Sequence, residues 1–170
     1  MPGRKRVIRK AASAIGVRAH QAPVRNARYP TISPPHDFAR TLGFRAADPA
    51  TLVRHVREGF PFAAVERLQR SFALSTDEIV SLLQIPARTM ARRKESGRLK
   101  ADESDRVLRA ARLMHKAQAL FNNDPAAAKA WMTTPQRGLG GAVPLDLAGT
   151  EIGAREVEDA LGRIEDGVFA

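Results

Sequence analysis

Ser75-Thr76-Asp77-Glu78 constrains the fold of this chain more than any other stretch, because it is a capping box opening directly onto the apolar run Ile79, Val80, Leu82 and Leu83. In such a box the serine oxygen serves a free N–H of the first helical turn, while the glutamate three places on returns to the serine N–H. Gln84-Ile85-Pro86 then interrupts the helix, since proline has no N–H to continue the ladder. A second helix starts through Ala87-Arg88-Thr89-Met90-Ala91-Arg92-Arg93-Lys94, and Gly97 stops it. Two short helices joined so tightly leave few arrangements. Val80 and Leu83 belong inside the first helix, Ile85 at the turn, and Met90 presses the second helix onto the first. The segment from Thr76 to Lys94 therefore has the layout of a helix-turn-helix, with a plain helical hairpin carrying a solvated basic face as its rival.

The rest of the chain is punctuated in the same way. Asp48-Pro49 reads as an N-cap followed by proline at the first helical position, and Gly59 ends that helix after Leu52, Val53 and Val56. Another helix begins near Pro61, with Val65, Leu68 and Phe72 at helical spacing. Asp102 to Phe121 is the longest pattern, striped by Val107, Ala110, Met114, Ala117 and Phe121. Asp124-Pro125 caps a helix over Ala126 to Met132, a Gly/Pro-rich loop covers Thr134 to Pro144, and a last helix spans about Gly153 to Asp166 with Val157, Leu161, Ile164 and Val168 in register. Aromatic residues make up only 5% of the chain, which starves strands of the side chains they favour. The predicted fold is all-α. There is no cysteine, so disulfides and cysteine metal sites are excluded, in keeping with a cytoplasmic protein. No apolar run reaches the length of about 20 residues that a membrane span needs, and the basic amino terminus lacks the apolar core of a secretory signal.

Charge divides the chain. Residues 1–40 carry nine basic residues and one acidic; residues 41–115 carry fourteen and nine; residues 116–170 carry five and eight. The basic front suits a polyanion, and the acidic rear suits something else. Residues 1–45 are expected to form a basic, flexible arm, because Arg4, Lys5, Arg6, Arg9 and Lys10 with Pro23, Pro30, Pro34 and Pro35 bury too little to offset ordering entropy. Residues 46–115 are expected to hold the DNA-binding helices, and residues 116–170 a separate carboxy-terminal domain. With Met90 inward, Arg88, Thr89, Arg92 and Arg93 turn to the open side. Arg88 and Arg92 share one face and suit bidentate contacts to guanine. Arg93, Lys94 and Arg98 suit phosphates, which position a protein without reading sequence.

Several stretches resemble one family. They are Leu82-Leu83-Gln84-Ile85-Pro86 with Arg88-Thr89 and Arg92-Arg93-Lys94, Gly97-Arg98-Leu99, Glu103-Ser104-Asp105-Arg106, Trp131-Met132 with Pro135, Leu139-Gly140-Gly141 with Pro144-Leu145-Asp146-Leu147, and Thr150-Glu151 through Gly153, Val157, Leu161, Arg163-Ile164-Glu165 and Gly167. In this order, over roughly residues 60–170, they are similar to the Xre/MbcA/ParS antitoxins. The resemblance implies a helix-turn-helix joined to a helical domain that holds a toxin of the RES type, which consumes NAD, or of the ParT type. It implies toxin contacts at Trp131, Leu139, Gly140, Gly141, Pro144 and Glu165, and a terminal plug formed by Val168, Phe169 and Ala170 in the toxin's active-site cleft. The bland reading of Trp131 is a core anchor, that of the glycines a loop over the core, and that of Phe169 a side chain folded back on the last helix.

Catalysis has little support. His20, His36, His55 and His115 are isolated, without a carboxylate at ligand spacing, and Arg137-Gly138-Leu139-Gly140-Gly141 lacks the Lys-Ser/Thr of a phosphate loop. Neither a metal nor a cofactor is expected. The expected function is that of an antitoxin which inhibits its toxin and, as a homodimer, represses its own operon by binding inverted-repeat operator DNA. The alternatives are a stand-alone repressor whose carboxy-terminal helices serve dimerisation, and a basic RNA-binding or nucleoid protein.

Overall fold

A computed structural model describes residues 37–45 and 48–167. Among them are nine α-helices: α1 (Asp37–Thr41), α2 (Pro49–Glu58), α3 (Ala63–Ser71), α4 (Thr76–Leu83), α5 (Ala87–Ser96), α6 (Ala101–Leu120), α7 (Pro125–Thr133), α8 (Pro144–Leu147) and α9 (Glu151–Glu165). No strand occurs among the described residues, only an isolated antiparallel bridge between Pro61 and Arg98. The all-helical expectation holds.

The local signals act where the sequence places them. Asp48 accepts from the Thr51 N–H at 2.9 Å. Ser75 accepts from the Glu78 N–H at 3.1 Å while the Glu78 carboxylate takes the Ser75 N–H at 2.6 Å. Asp124 accepts from the N–H groups of Ala126 and Ala127. Gly59 follows α2 at φ +83 and ψ 135, a positive φ that favours glycine, and Gly97 ends α5 in the left-handed conformation at φ +73 and ψ −3. The last helix starts two residues earlier than its apolar pattern indicates, because Thr150 accepts from the Gly153 N–H at 3.0 Å and caps it.

The core is organised around α6. Val107, Ala110, Ala111, Leu113, Met114 and Ala117 are all essentially inaccessible to water; a buried side chain of Val, Leu or Met contributes roughly 1.5–3 kcal/mol. Helices α1, α2, α3 and α4 pack on α6 from the amino-terminal side, and α7 and α9 from the carboxy-terminal side. The short α8 fills the corner between α4, α7 and α9. One apolar cluster runs from Leu42 through Phe60, Leu68, Leu83 and Met114 to Met132, Leu145 and Leu161.

Two features differ from the sequence expectation. The segment assigned to the arm ends in α1, where Ala39 and Leu42 are fully buried; Thr41 shares a 3.0 Å hydrogen bond with His115 of α6, and Arg67 donates to the Leu42 carbonyl at 3.1 Å. The expected boundary between residues 115 and 116 falls inside α6. The remainder of the expected arm, residues 1–36, lies outside the described residues.

Candidate nucleic-acid interface and partner face

Ile79, Leu82, Leu83, Ile85 and Met90 are buried in the same apolar cluster to which α6 contributes Val107, Ala110 and Met114. Between them Gln84 stands in the left-handed region at φ +50 and ψ 41. The Arg106 guanidinium donates to its carbonyl at 2.8 Å. With Met90 turned inward, Arg88 and Arg92 project from the exposed side of α5 with no ion-pair partner among the described residues. Thr89 is half-buried beside them. Lys94 is exposed, with Nζ 3.5 Å from Glu66 Oε1. Arg98 is exposed too, and its Nη1 donates to the Glu58 carbonyl at 3.1 Å.

Arg93 lies elsewhere than the pattern of α5 puts it. Its side chain is only 12% exposed and its Nε donates to both carboxylate oxygens of Glu103, at 2.9 and 2.7 Å. Glu103 is itself buried and takes the Lys100 N–H at 2.7 Å. Burial alone would push this carboxyl up. The hydrogen bonds from Arg93 and from the Lys100 N–H, with the guanidinium charge, outweigh it and hold Glu103 below the ordinary carboxylate range. The same hydrogen bond raises Arg93 further. A side chain engaged in this way braces α5 against α6 and does not extend to a phosphate.

The neighbouring Ser104 completes the brace. Its fully buried hydroxyl accepts from the Phe60 N–H at 2.8 Å and donates to the Lys100 carbonyl at 2.7 Å. The strand-like stretch after α5 is then clamped to the α2–α3 link, Phe62 N–H to Gly97 carbonyl and Leu99 N–H to Phe60 carbonyl, both at 2.9 Å. Glu103 and Ser104 carry no local sign of burial in the sequence; their presence in the family motif is the only hint.

The carboxy-terminal residues form a second face. Trp131 is half-buried against the core, its ring 6.4 Å from that of Phe121. Gln136 donates to the Trp131 and Thr134 carbonyls, each at 2.9 Å, and closes the following loop through Gly141 N–H to its own carbonyl at 2.9 Å. A short 3₁₀ turn over Arg137–Leu139 presents the half-buried Leu139, with Gly140 and Gly141 exposed at the tip. Pro144 is buried at the first position of α8. Arg163 of α9 reaches the loop at the Gly138 carbonyl, 3.3 Å away. Glu165 is exposed at the end of α9. Val168, Phe169 and Ala170 lie outside the described residues. The residues singled out from the sequence for toxin contact gather around the α7–α8 loop, with Glu165 exposed at the carboxy-terminal end of α9, two residues beyond the Arg163 that reaches this loop.

Among the described residues no three His, Asp or Glu side chains cluster closely enough to hold a metal ion, and no helix is long and apolar enough to cross a membrane.

The antitoxin Xre-like helix-turn-helix domain matches residues 51–112, and the antitoxin Xre/MbcA/ParS C-terminal toxin-binding domain matches residues 116–167. Proteins named antitoxin Xre from Yersinia enterocolitica and Photorhabdus laumondii are each 37% identical to the chain over 132 residues, covering 77% of it and 89% of their own length. An antitoxin Xre from Pseudomonas putida is 36% identical over 84 residues, 49% of this chain and 52% of its own.

Proposed function

The chain belongs to the Xre/MbcA/ParS antitoxin family, and from that premise we propose that it neutralises a RES-type, NAD-consuming toxin and represses its own operon by binding operator DNA. The observation that carries the DNA half is the pair Arg88 and Arg92, exposed and without an ion-pair partner among the described residues, on the helix that Met90 anchors. In this reading α5 enters the major groove, and the two guanidinium groups contact base edges. Lys94 and Arg98 meet phosphates. Arg93 takes no part in that contact and keeps α5 in place through Glu103. Binding of a two-fold symmetric operator calls for a dimer with half-sites about one helical turn apart.

For the toxin half, the support is the match of residues 116–167 to a toxin-binding domain. Trp131, Leu139, Gly140, Gly141 and Pro144 would shape the docking face. Glu165 would lead into Val168, Phe169 and Ala170 as a plug, whose terminal carboxylate suits a basic group that otherwise holds a nucleotide phosphate. The test is expression of the adjacent gene alone and together with this chain. Growth arrest and NAD depletion by the neighbour, both reversed by co-expression, are expected. A harmless neighbour, or arrest that the chain does not reverse, would favour a stand-alone repressor.

A further inference from the structure

The cations of this chain are concentrated ahead of the described fold. Residues 1–36 hold eight lysines and arginines, among them Arg4, Lys5, Arg6, Arg9 and Lys10, and no aspartate or glutamate. Of the net charge of +10 they supply +8, and everything after them +2. Within the fold many basic side chains already face acid: Arg93 pairs with Glu103, Arg106 with Asp102, Arg109 with Asp105 and Arg112 with Glu158. Sequence-independent affinity for DNA comes from cations that neutralise phosphates, so most of the capacity for it stands before Asp37. Residues 1–36 contain one Phe, Tyr or Trp side chain, Tyr29, and so lack the stacking platforms that hold single-stranded nucleic acid.

The structure fixes where this segment joins. Helix α1 follows it directly and is firmly anchored: Ala39 and Leu42 are fully buried, Thr41 bonds to His115, and Arg67 donates to the Leu42 carbonyl. Phe44, three residues beyond α1, packs its ring 4.7 Å from that of Phe60. The Phe60 carbonyl in turn accepts the Leu99 N–H, and Leu99 follows Arg98, which the DNA-binding reading puts on a phosphate. One short helix therefore tethers the cationic segment to the packing layer that carries Arg98. A tether keeps charges at high effective concentration beside a duplex already bound. We propose that residues 1–36 are a second DNA-binding element, which grips duplex phosphates without reading sequence and supplies most of the affinity, while α5 supplies the discrimination. This rests on the reading that the chain binds DNA and adds a separate contact to it.

The test uses three full-length chains: the wild type, one combining Arg4→Gln, Lys5→Gln, Arg6→Gln, Arg9→Gln and Lys10→Gln, and one adding Arg18→Gln, Arg25→Gln and Arg28→Gln. Anisotropy is read over a salt series on a labelled duplex from the promoter of its own gene, an unrelated duplex, and single-stranded RNA of equal length. The fully neutralised chain is expected to bind both duplexes at least about tenfold more weakly. If half of its eight lost cations meet phosphates, the slope of log affinity against log salt becomes shallower by about 3.5. The ratio of promoter to unrelated affinity is unchanged, the five-substitution chain falls between the other two, and the melting points agree. Equal affinity and slope in all three chains overturns the proposal. So does a gain in affinity, which would make the segment a shield over the DNA face, or a larger loss on RNA than on duplex DNA. A loss confined to the promoter duplex overturns the sequence-independent contact, because it makes these residues readers of sequence. A wild-type chain that binds neither duplex overturns the DNA-binding reading itself, and this proposal with it. One that binds both alike, with its salt slope still set by residues 1–36, supports the proposal and removes α5 from recognition.

Discussion

Arg93 and Glu103 face each other across the Gly97 bend, the guanidinium Nε bonded to both carboxylate oxygens, with side chains only 12% and 6% exposed. The arginine comes from the helix that presents Arg88 and Arg92, and the carboxylate from the first turn of α6. One basic residue of α5 therefore faces inward and sets the angle at which the others face outward. Losing the Glu103 carboxylate leaves the Lys100 N–H without its partner. Glu103→Ala is expected to cost on the order of 2 kcal/mol, a fall in Tm of roughly 4–8 °C for a chain of this length. A melting curve matching the wild type would show that the pair does not brace the fold.

Acid should loosen the same joint. Glu103 has a lower pKa in the folded chain than the ordinary 4.5, so its contribution is fully present above that ordinary value. It fades as pH falls through it towards the folded value. Glu103→Gln is expected to melt lower at neutral pH and to lose less stability on acidification below the ordinary carboxylate range. Parallel curves would place the acid sensitivity in other carboxylates.

DNA recognition is checked by the Arg88→Ala/Arg92→Ala pair. Each bidentate contact to a base is worth about 1–3 kcal/mol of discrimination, so preference for the promoter duplex should fall by at least tenfold, about 1.4 kcal/mol. Both side chains are exposed, and such surface changes usually alter stability within about 0.5 kcal/mol. An unchanged footprint on the promoter would remove α5 from the groove.

Glycine is needed for different reasons at two positions. Gly59 combines φ +83 with a backbone neighbour, the Leu99 carbonyl, that a β-carbon would strike. Gly140 has φ +66 and open space around it. Gly59→Ala should cost at least about 2 kcal/mol; Gly140→Ala should cost only the left-handed penalty of about 1 kcal/mol. Equal melting points for the two variants would deny the close approach at Gly59.

Deletion of Val168, Phe169 and Ala170 tests the proposed plug. The shortened chain is expected to retain its toxin in a pull-down while NAD consumption resumes. Full inhibition by the shortened chain would leave the docking face as the whole of the inhibitory contact.

Helix ends were the most legible part of this sequence, because a cap is a relation between residues about three places apart: Asp48 with Thr51, Ser75 with Glu78. The inward Met90 and outward Arg88 and Arg92 followed from helical spacing. The rest depended on partners far along the chain. Helix α1 is five residues long, too short for a periodic signal, and is anchored through Thr41 to His115, 74 positions away. Nothing within Arg92-Arg93-Lys94 marks the middle residue as the one that turns inward; its partner lies ten positions on, past a glycine bend. The contacts of Gln84 and Ser81 with α8 and Gly149 join segments about 65 positions apart, beyond any local pattern.

Helix α6 packs against α1, α2, α3 and α4 and also against α7 and α9. Neither half can be excised as an intact fragment, since a cut on either side of Leu113 or Met114 would wet the apolar interior of both. A protease that severs this rod is expected to unfold the helix-turn-helix region and the toxin-binding region together.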